Sequence, residues 1–451
     1  GLVDDITAFA GSAKDVHTIG NIAKRFCDWT GAMLNYRKSK IMALGTWRDN
    51  RKEDEVEEHS GVGKAEWDRR IQDLHVGWAS ISDSVKILGI TFVPDYDKLI
   101  LANWMDLLTS MTAALATNRN RATYLHQKAR YINQHILSLA AHTAKILPCP
   151  KQIAAKITSH ILSFLWEGTN LRVAQEAIYR QEKDGGLGLL SPTSFFKTLH
   201  LKANLAPLLS ERGLDFTREC SRYWLAFPLR KLVPEVYNRS NRTYKIIGCH
   251  SDMRYLAESA REIHQAGLTL GPELVGKGKL LYLTLVEPSL RPGNVELANP
   301  LLDWKAAWRN IRQLPLPTRD FMFQVNHNVL HTRERIHRIG KTATPACRTC
   351  GEKETLEHVF WTCPSRRDYI NSQAANLRNL GVATTPRKHL THLILGPGVT
   401  RGAALYLSEM YRLIWEARVR DECLVTETEE TSNTEMQSDD TDADTPTEND
   451  L

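Results

Sequence analysis

The feature that most constrains this chain is a run of metal-ligand residue types, "CRTCGEKETLEHVFWTC", from Cys347 to Cys363. Its spacing is C-x2-C-x7-H-x4-C, with Cys347, Cys350, His358 and Cys363 as donors. Three thiolates and one imidazole fill a tetrahedral zinc shell and leave no open position, which is typical of a structural site. The alternative is a set of free cysteines beside a surface histidine. We predict one structural zinc ion.

The local geometry of this run decides whether the four donors can meet. A tight turn at Gly351 suits the C-x2-C pair. A helix through "TLEHVFWTC" places His358 and Cys363 about one and a half turns apart, on different faces. The two side chains therefore converge only if the helix ends or loosens near Cys363.

The remaining cysteines indicate the redox environment in which the protein works. They are scattered along the chain at Cys27, Cys149, Cys220, Cys249 and Cys423. Such spacing is unlike the disulfide framework of a small secreted protein and favours a reducing environment with one local metal site. We expect an intracellular protein, in the cytoplasm and nucleus, that is not secreted.

The net charge of +6 conceals an asymmetry between the body and the C-terminus. The segment 426–451 holds ten of the 52 acidic residues and no Lys or Arg, and its composition predicts disorder. Without it the body has 58 basic and 42 acidic residues. A body this basic suits a polyanion such as nucleic acid, although a merely soluble basic surface is the alternative.

Apolar periodicity predicts mostly helices. "SAKDVHTIGNIAKRFCDWTG" predicts an amphipathic helix that ends at Gly31. "SVKILGITFV" predicts a strand of roughly 85–93. The pattern is helical from 99 to about 147, ends at Pro148, and resumes in "KQIAAKITSHILSFLWEG". No uninterrupted apolar run reaches the roughly 18 residues of a membrane span, so we expect no membrane partner.

The opening "GLVDDITAF" places Asp4 and Asp5 among apolar residues. A buried carboxylate is costly unless it is compensated. A surface turn is one explanation for this pair, and a metal site at a hairpin tip is the other. Both explanations stay open from this stretch alone. A helix, a "GAMLNYRKS" turn and a strand follow it in order.

In this order the segments resemble the C-terminal part of the reverse transcriptase polyprotein of non-LTR (LINE-type) retrotransposons. "LVDDITAFAG" is similar to motif C of the polymerase palm, and "TGAMLNYRKSKIM" to motif D. "VKILGITF" resembles the strand that holds the primer end. "RATYLHQKARYINQHILSLAAHTAKILPCP" resembles the thumb, and "CRTCGEKETLEHVFWTC" the C-terminal zinc-binding module.

The resemblance implies a chemistry for the acidic pair. Nucleotide addition uses two magnesium ions, which require oxygen ligands. Asp4 would be the principal magnesium ligand of this segment, Asp5 would assist, and Lys38 would lie near the nucleotide phosphates. A solvated turn lysine is the alternative for Lys38. Zinc is the structural cofactor, and magnesium belongs to the intact parent polymerase.

The resemblance also implies RNA and DNA, as template and primer, for partners, and no small-molecule substrate beyond nucleotides. Phosphate contacts, which give affinity without reading sequence, are expected from the basic thumb face. Its residues are Arg119, Arg121, Lys128 and Arg130. Arg348, Arg366 and Arg367, around the zinc module, are further candidates.

The predicted fold class is α+β at the N-terminus, as the remnant of a polymerase palm, and mainly α thereafter. The predicted divisions follow the chain. They are a palm end (1–95), a thumb-like helical region (96–195), a helical connector of unknown role (196–300), a zinc-binding module (301–370), a helical extension (371–425) and a disordered acidic tail (426–451).

Three functional readings stay open. The first is a C-terminal fragment of an RNA-directed DNA polymerase. The second is a non-catalytic nucleic-acid-binding module derived from a retroelement, and the third is an unrelated basic zinc protein. A two-metal palm needs a further carboxylate that this family supplies earlier in its sequence. We therefore expect residues 1–451 alone not to extend a primer.

Overall fold

The structure is a computed structural model. It describes residues 6–35, 37–44, 80–119, 124–167, 173–209, 215–225, 227, 229–233, 251–274, 276–287, 290, 303–382, 395–396 and 398–438. The chain divides into two compact units. The first comprises 1–113, 139–157 and 196–278, and the second comprises 114–138, 158–195 and 279–451.

Helices dominate the described residues, as predicted. The α-helices are α1 (Ala13–Thr30), α2 (Tyr96–Thr117), α3 (Leu125–Tyr131), α4 (Ala141–Ile146), α5 (Lys151–Leu165), α6 (Gln175–Ile178), α7 (Pro192–Leu209), α8 (Asp215–Leu225), α9 (Ser251–Gln265), α10 (Gly278–Val286), α11 (Trp304–Ile311), α12 (Leu316–Asn326), α13 (Arg333–Arg338), α14 (Arg367–Ser372), α15 (Ala374–Asn379) and α16 (Arg401–Ser438). Short 3-10 turns are Leu137–Ala140, Glu182–Asp184, Pro272–Leu274 and Pro364–Arg366. Two π-helical turns are Ile132–Ile136 and His358–Thr362.

Helix α1 confirms the first amphipathic pattern. The Ser12 side chain accepts a hydrogen bond from the Asp15 amide and caps its first turn. Gly31 ends it in the left-handed conformation, with φ of 71°, and its N–H bonds the Cys27 carbonyl. The predicted stop is therefore confirmed, because glycine enters this backbone region without a Cβ clash.

Four short strands pair in two separate sheets within the described residues. They are β1 (Lys40–Ile41), β2 (Ser80–Ile81), β3 (Val85–Ile87) and β4 (Ile90–Phe92). β1 and β2 are parallel, and β3 and β4 form an antiparallel hairpin. The predicted α+β character of 1–95 depends here on α1 and these pairs, which do not by themselves define a polymerase palm.

The single strand predicted for 85–93 is wrong, because the chain reverses in its middle. Leu88 and Gly89 have φ of 46° and 87° and close a two-residue turn between β3 and β4. Two successive positive φ angles suit the twist of a tight hairpin. The apolar positions are Val85 and Ile87 before the turn and Ile90 and Phe92 after it, so the alternation shifts by one residue at the turn. The single-strand prediction overlooked this shift.

Leu88 gives a stability prediction. Its side chain is 75% exposed and its backbone is left-handed, a conformation that asparagine tolerates better than leucine. We expect Leu88→Asn to raise the free energy of unfolding by about 0.5–1 kcal/mol. Leu88→Val, which is β-branched, should lower it. Urea unfolding of both variants measures this, and equal midpoints would contradict it.

Helix α2 is the core helix of the first unit. Leu99, Ile100, Trp104, Leu108 and Met111 recur at helical spacing and are buried. Trp104 packs on Phe196 of α7, with ring centroids 5.0 Å apart. By length and composition alone α2 is the one described helix that could cross a membrane. Of the apolar window that meets this criterion, 39% is buried within the protein.

The long helical pattern predicted from 99 to 147 is interrupted. α2 ends at Thr117, and helical structure resumes at Leu125 and continues through a π turn and a 3-10 turn into α4. Both parts keep an apolar face, which is why the pattern looked continuous. The next predicted helix is confirmed as α5, Lys151–Leu165.

One apolar core surrounds the predicted zinc region in the second unit. It joins residues of α11 and α12 with Phe360, Trp361 and the buried face of α16. On α16 the buried positions Ala403, Leu407, Tyr411 and Ile414 lie three or four residues apart. The core therefore extends beyond residue 370 into the segment predicted as a helical extension.

Helix α16 continues into the segment that was predicted to be a disordered tail. Its backbone is helical to Ser438, whereas composition predicted disorder from Thr426 onward. Glu, Gln and Met, which favour helix, occur in this stretch. The rest of the predicted tail, 439–451, lies outside the described residues.

Candidate metal centre

The four predicted ligands come together in the structure. The donor atoms of Cys347, Cys350, His358 and Cys363 all lie within 4.8 Å of one another. In a tetrahedral zinc site with bonds of about 2.3 Å to sulfur, sulfur atoms lie about 3.8 Å apart. The cluster is thus slightly wider than a filled zinc shell. The prediction that these donors converge is confirmed.

A hairpin supplies the two N-terminal thiols. The Cys347 amide donates to the Glu352 carbonyl over 2.6 Å, and the Gly351 amide donates to the Cys347 carbonyl over 2.8 Å. Gly351 has φ of 80°, which suits glycine at this reversal. A bridge between Ala346 and Lys353 closes the hairpin. The turn points both sulfurs to the same side, as chelation requires.

A π turn brings the other two ligands together. Thr355 caps the short helix by accepting from the His358 amide over 3.0 Å. The Cys363 amide then donates to the His358 carbonyl over 2.8 Å, an i to i+5 bond. This wider turn brings Cys363 closer to the face of His358 than an α-helix would. The helix ends at Cys363. This is the condition under which the sequence predicted that the His358 and Cys363 side chains converge.

Burial separates the ligands from bulk water. Cys347, Cys363 and His358 are 3%, 1% and 4% exposed, and Cys350 is half-buried. Burial is the main cause that raises the pKa of the Cys350 thiol to about 11. Burial also lowers the pKa of His358, against the opposing effects of Glu352 and Glu354. A neutral imidazole is the form that binds metal.

Neighbouring polar groups orient the ligands. The His358 Nε2 atom lies 3.3 Å from the Cys350 sulfur, and its Nδ1 atom lies 3.4 Å from a Glu352 carboxylate oxygen. A carboxylate on the second ring nitrogen fixes the tautomer of a ligating histidine. Sequence reasoning missed Glu352, although an acid between two ligands was a visible signal.

Cys363 has polar neighbours of its own. Burial opposes its ionisation, but hydrogen bonds from Thr349 and Ser365 and the charge of Arg366 outweigh this, so the pKa of Cys363 is lowered. The Arg366 guanidinium donates to the Cys363 sulfur over 3.4 Å. The donor set fits zinc, since soft thiolates with one imidazole in a closed tetrahedral arrangement select this ion. Bound there, zinc would crosslink the hairpin to the π turn.

A closed Cys3His cluster defines a structural zinc-binding module rather than a catalytic metal site. Residues 293–369 match the family model described as zinc-binding in reverse transcriptase. No curated protein matches the chain significantly. The matched segment contains all four ligands, so this part of the chain is a zinc-binding region related to reverse transcriptases.

Of the three predicted catalytic residues, the structure describes only Lys38. Asp4 and Asp5 lie outside the described residues. Ile6 and Phe9, which follow them, are 79% and 89% exposed and belong to no strand or helix. Lys38 is exposed in a turn, where its amide donates to the Asn35 side chain over 3.2 Å. The structure thus describes Lys38 as an exposed turn lysine.

The predicted basic thumb face is changed by packing. Lys128 is 6% exposed and its ammonium lies 5.4 Å from the Phe164 ring centroid, so it does not belong to an exposed face. Burial is the main cause that lowers its pKa. Arg119 pairs with Glu167, and Arg130 lies 3.6 Å from Glu182. Arg121 lies outside the described residues.

Proposed function

We propose that this chain is the C-terminal part of a non-LTR retrotransposon reverse transcriptase and that its zinc-binding region holds RNA or DNA. The observation that carries the proposal is the reverse-transcriptase zinc-binding match, together with a four-ligand cluster that fits zinc. A closed zinc shell has no open coordination position for chemistry. We therefore assign nucleic-acid binding to the protein surface around the zinc shell.

The charge of that surface supports a polyanionic partner. From Arg333 to Arg367 the chain holds eight Lys or Arg residues and four acids. His337, Arg338, Lys341, Arg348 and Arg367 are exposed in the structure. Exposed cations of this kind contact phosphates without selecting a base sequence. Arg366, by contrast, is turned toward Cys363 and serves the metal site.

Nucleic-acid binding is tested directly. We expect the zinc-loaded protein to bind single-stranded RNA with an affinity that falls steeply between 50 and 200 mM salt, because phosphate contacts release counterions. Arg338→Gln with Lys341→Gln should reduce the salt slope by about 1.4, from two contacts at about 0.7 each. Fluorescence anisotropy at several salt concentrations measures this.

The matched control is Lys24→Gln with Arg25→Gln, which removes two exposed charges from α1. This pair should leave the slope nearly unchanged. An equal slope for the wild-type protein and the Arg338/Lys341 variant would remove this surface from the proposal. Binding of DNA in the same assay shows which polymer is preferred.

The catalytic part of the proposal concerns Asp4, Asp5 and Lys38. In a polymerase that joins this sequence to a complete palm, Asp4→Asn with Asp5→Asn should abolish primer extension with magnesium, because the metal ions lose carboxylate ligands. Lys38→Ala should slow extension without abolishing it. Unchanged extension by the double Asp variant would refute these roles and favour a non-catalytic nucleic-acid-binding module.

A further inference from the structure

Two charged side chains of α16 contact residues that flank the metal ligands. Arg418 and Asp421 are three residues apart and so lie on one face of the helix. Arg418 pairs with Glu354, which lies between Cys350 and His358 in sequence. Asp421 pairs with Arg366, which follows Cys363. Residues 347–363, which carry the four ligands and are called the metal loop below, are therefore attached to α16 at two points, one within the ligand run and one just after it.

The first attachment is a buried ion pair. An Arg418 guanidinium nitrogen lies 2.7 Å from a Glu354 carboxylate oxygen, and the two side chains are 7% and 2% exposed. The same oxygen accepts from the Arg333 amide over 2.8 Å, and Arg418 lies 5.1 Å from the Trp415 ring centroid. Removal of one partner from a buried pair leaves the other charge uncompensated. The loop and the helix therefore depend on each other here.

The second attachment reaches a ligand directly. One Arg366 nitrogen donates to the Cys363 sulfur over 3.4 Å, and another lies 3.3 Å from an Asp421 carboxylate oxygen. The Arg366 side chain is only 10% exposed. A thiolate on zinc keeps negative charge that this guanidinium can bind. Arg366 thus links the electrostatic state of the ligand to α16.

Aromatic packing joins the same two elements. Phe360 and Trp361 lie between His358 and Cys363, and their rings pack on Tyr411 of α16 with centroids 5.1 Å and 5.8 Å away. The π turn that positions these rings also brings the last two ligands together. If the turn relaxes, the ligands separate and the rings leave α16.

We propose that metal occupancy of the loop and docking of α16 over residues 403–421 form one coupled equilibrium. Zinc holds the hairpin and the π turn together, and this places Glu354, Arg366, Phe360 and Trp361 against the helix. Because linkage is reciprocal, weaker docking lowers zinc affinity by the factor by which zinc loss weakens docking. The metal loop, when it holds zinc, therefore stabilises the docked position of α16.

Zinc affinity of variants tests this coupling through residues that are not ligands. We expect Arg418→Gln to raise the zinc Kd at least about fivefold, the lower end of typical coupling between two sites. Asp421→Asn, at a half-exposed position, should raise it several-fold. Arg412→Gln is the matched control, because Arg412 lies on the same helix but pairs with Glu409 and Glu416.

Competition with a chromophoric chelator measures the Kd values, and circular dichroism confirms that each variant is folded. Wild-type affinity in both folded variants would overturn the proposal. If Arg418→Gln fails to fold, Asp421→Asn alone decides the result, since its surface position tolerates the amide. A change in Arg412→Gln as large as in Asp421→Asn would likewise overturn it.

Hydrogen exchange gives a readout that is independent of affinity. After zinc is removed from the full chain, backbone amides of 403–421 should exchange at least tenfold faster. Amides of residues 96–113 of α2, in the other compact unit, should keep their protection. Unchanged protection of 403–421 refutes the coupling. Equal loss in α2 refutes it as well, because zinc would then support the whole chain rather than α16.

Discussion

Protein that carries Cys350→Ser with Cys363→Ser should contain almost no zinc, whereas wild-type protein should contain about one zinc ion per chain. Serine offers no thiolate, and two remaining ligands cannot hold a structural ion. Structural zinc contributes about 10–16 kcal/mol to folding in small zinc modules at neutral pH. We therefore expect the metal loop and its core partners, including Phe360 and Trp361, to lose their fixed structure.

Elemental analysis gives the zinc content, and near-ultraviolet circular dichroism reports the aromatic core. Cys27→Ser with Cys220→Ser is the matched control, since these half-buried thiols lie outside the cluster. It should keep full zinc. Unchanged zinc in the Cys350/Cys363 variant, or little zinc in wild type, would refute the assignment.

The same site predicts how zinc affinity depends on pH. With its pKa raised to about 11, the Cys350 thiol of the metal-free loop is protonated at neutral pH, so zinc must displace that proton. Zinc affinity, and the stability it supplies, should therefore fall as the pH is lowered. Titrations at two pH values measure the proton release.

Asp320→Ala should lower the free energy of unfolding of the second unit by about 2–4 kcal/mol. Asp320 is buried on α12, and one carboxylate oxygen accepts from the Leu125 amide at the start of α3. The other lies 2.7 Å from Nδ1 of His126. The carboxylate therefore caps α3 and also holds a buried imidazole, and alanine leaves both donors without it.

Asp303→Ala is the matched comparison. Asp303 caps α11 by accepting from the Ala306 amide over 3.0 Å, and it is an exposed cap within the helix's own segment. It should cost only about 1 kcal/mol. Denaturant unfolding of both variants measures the difference, and equal costs would show that the long-range contacts of Asp320 add nothing.

Local patterns in the sequence determined several features correctly. Three features follow from spacings of a few residues: the convergence of the four donors, α1 with its stop at Gly31, and α5. Such features depend on short-range geometry, namely chelate spacing, helical periodicity and the conformational freedom of glycine. The hairpin at Leu88 was missed, although the apolar alternation shifts by one residue there and Gly89 follows.

Only the tertiary structure decided which charges face water. Lys128 looked like a phosphate contact, yet packing buries it against Phe164. The partnership of Arg418 with Glu354 spans 64 residues, and that of Asp320 with Leu125 spans 195. Periodicity describes the neighbours of a residue along its own helix, but not the helix that packs against it. A buried charge is stable only beside its partner, so these pairs were fixed when the helices packed.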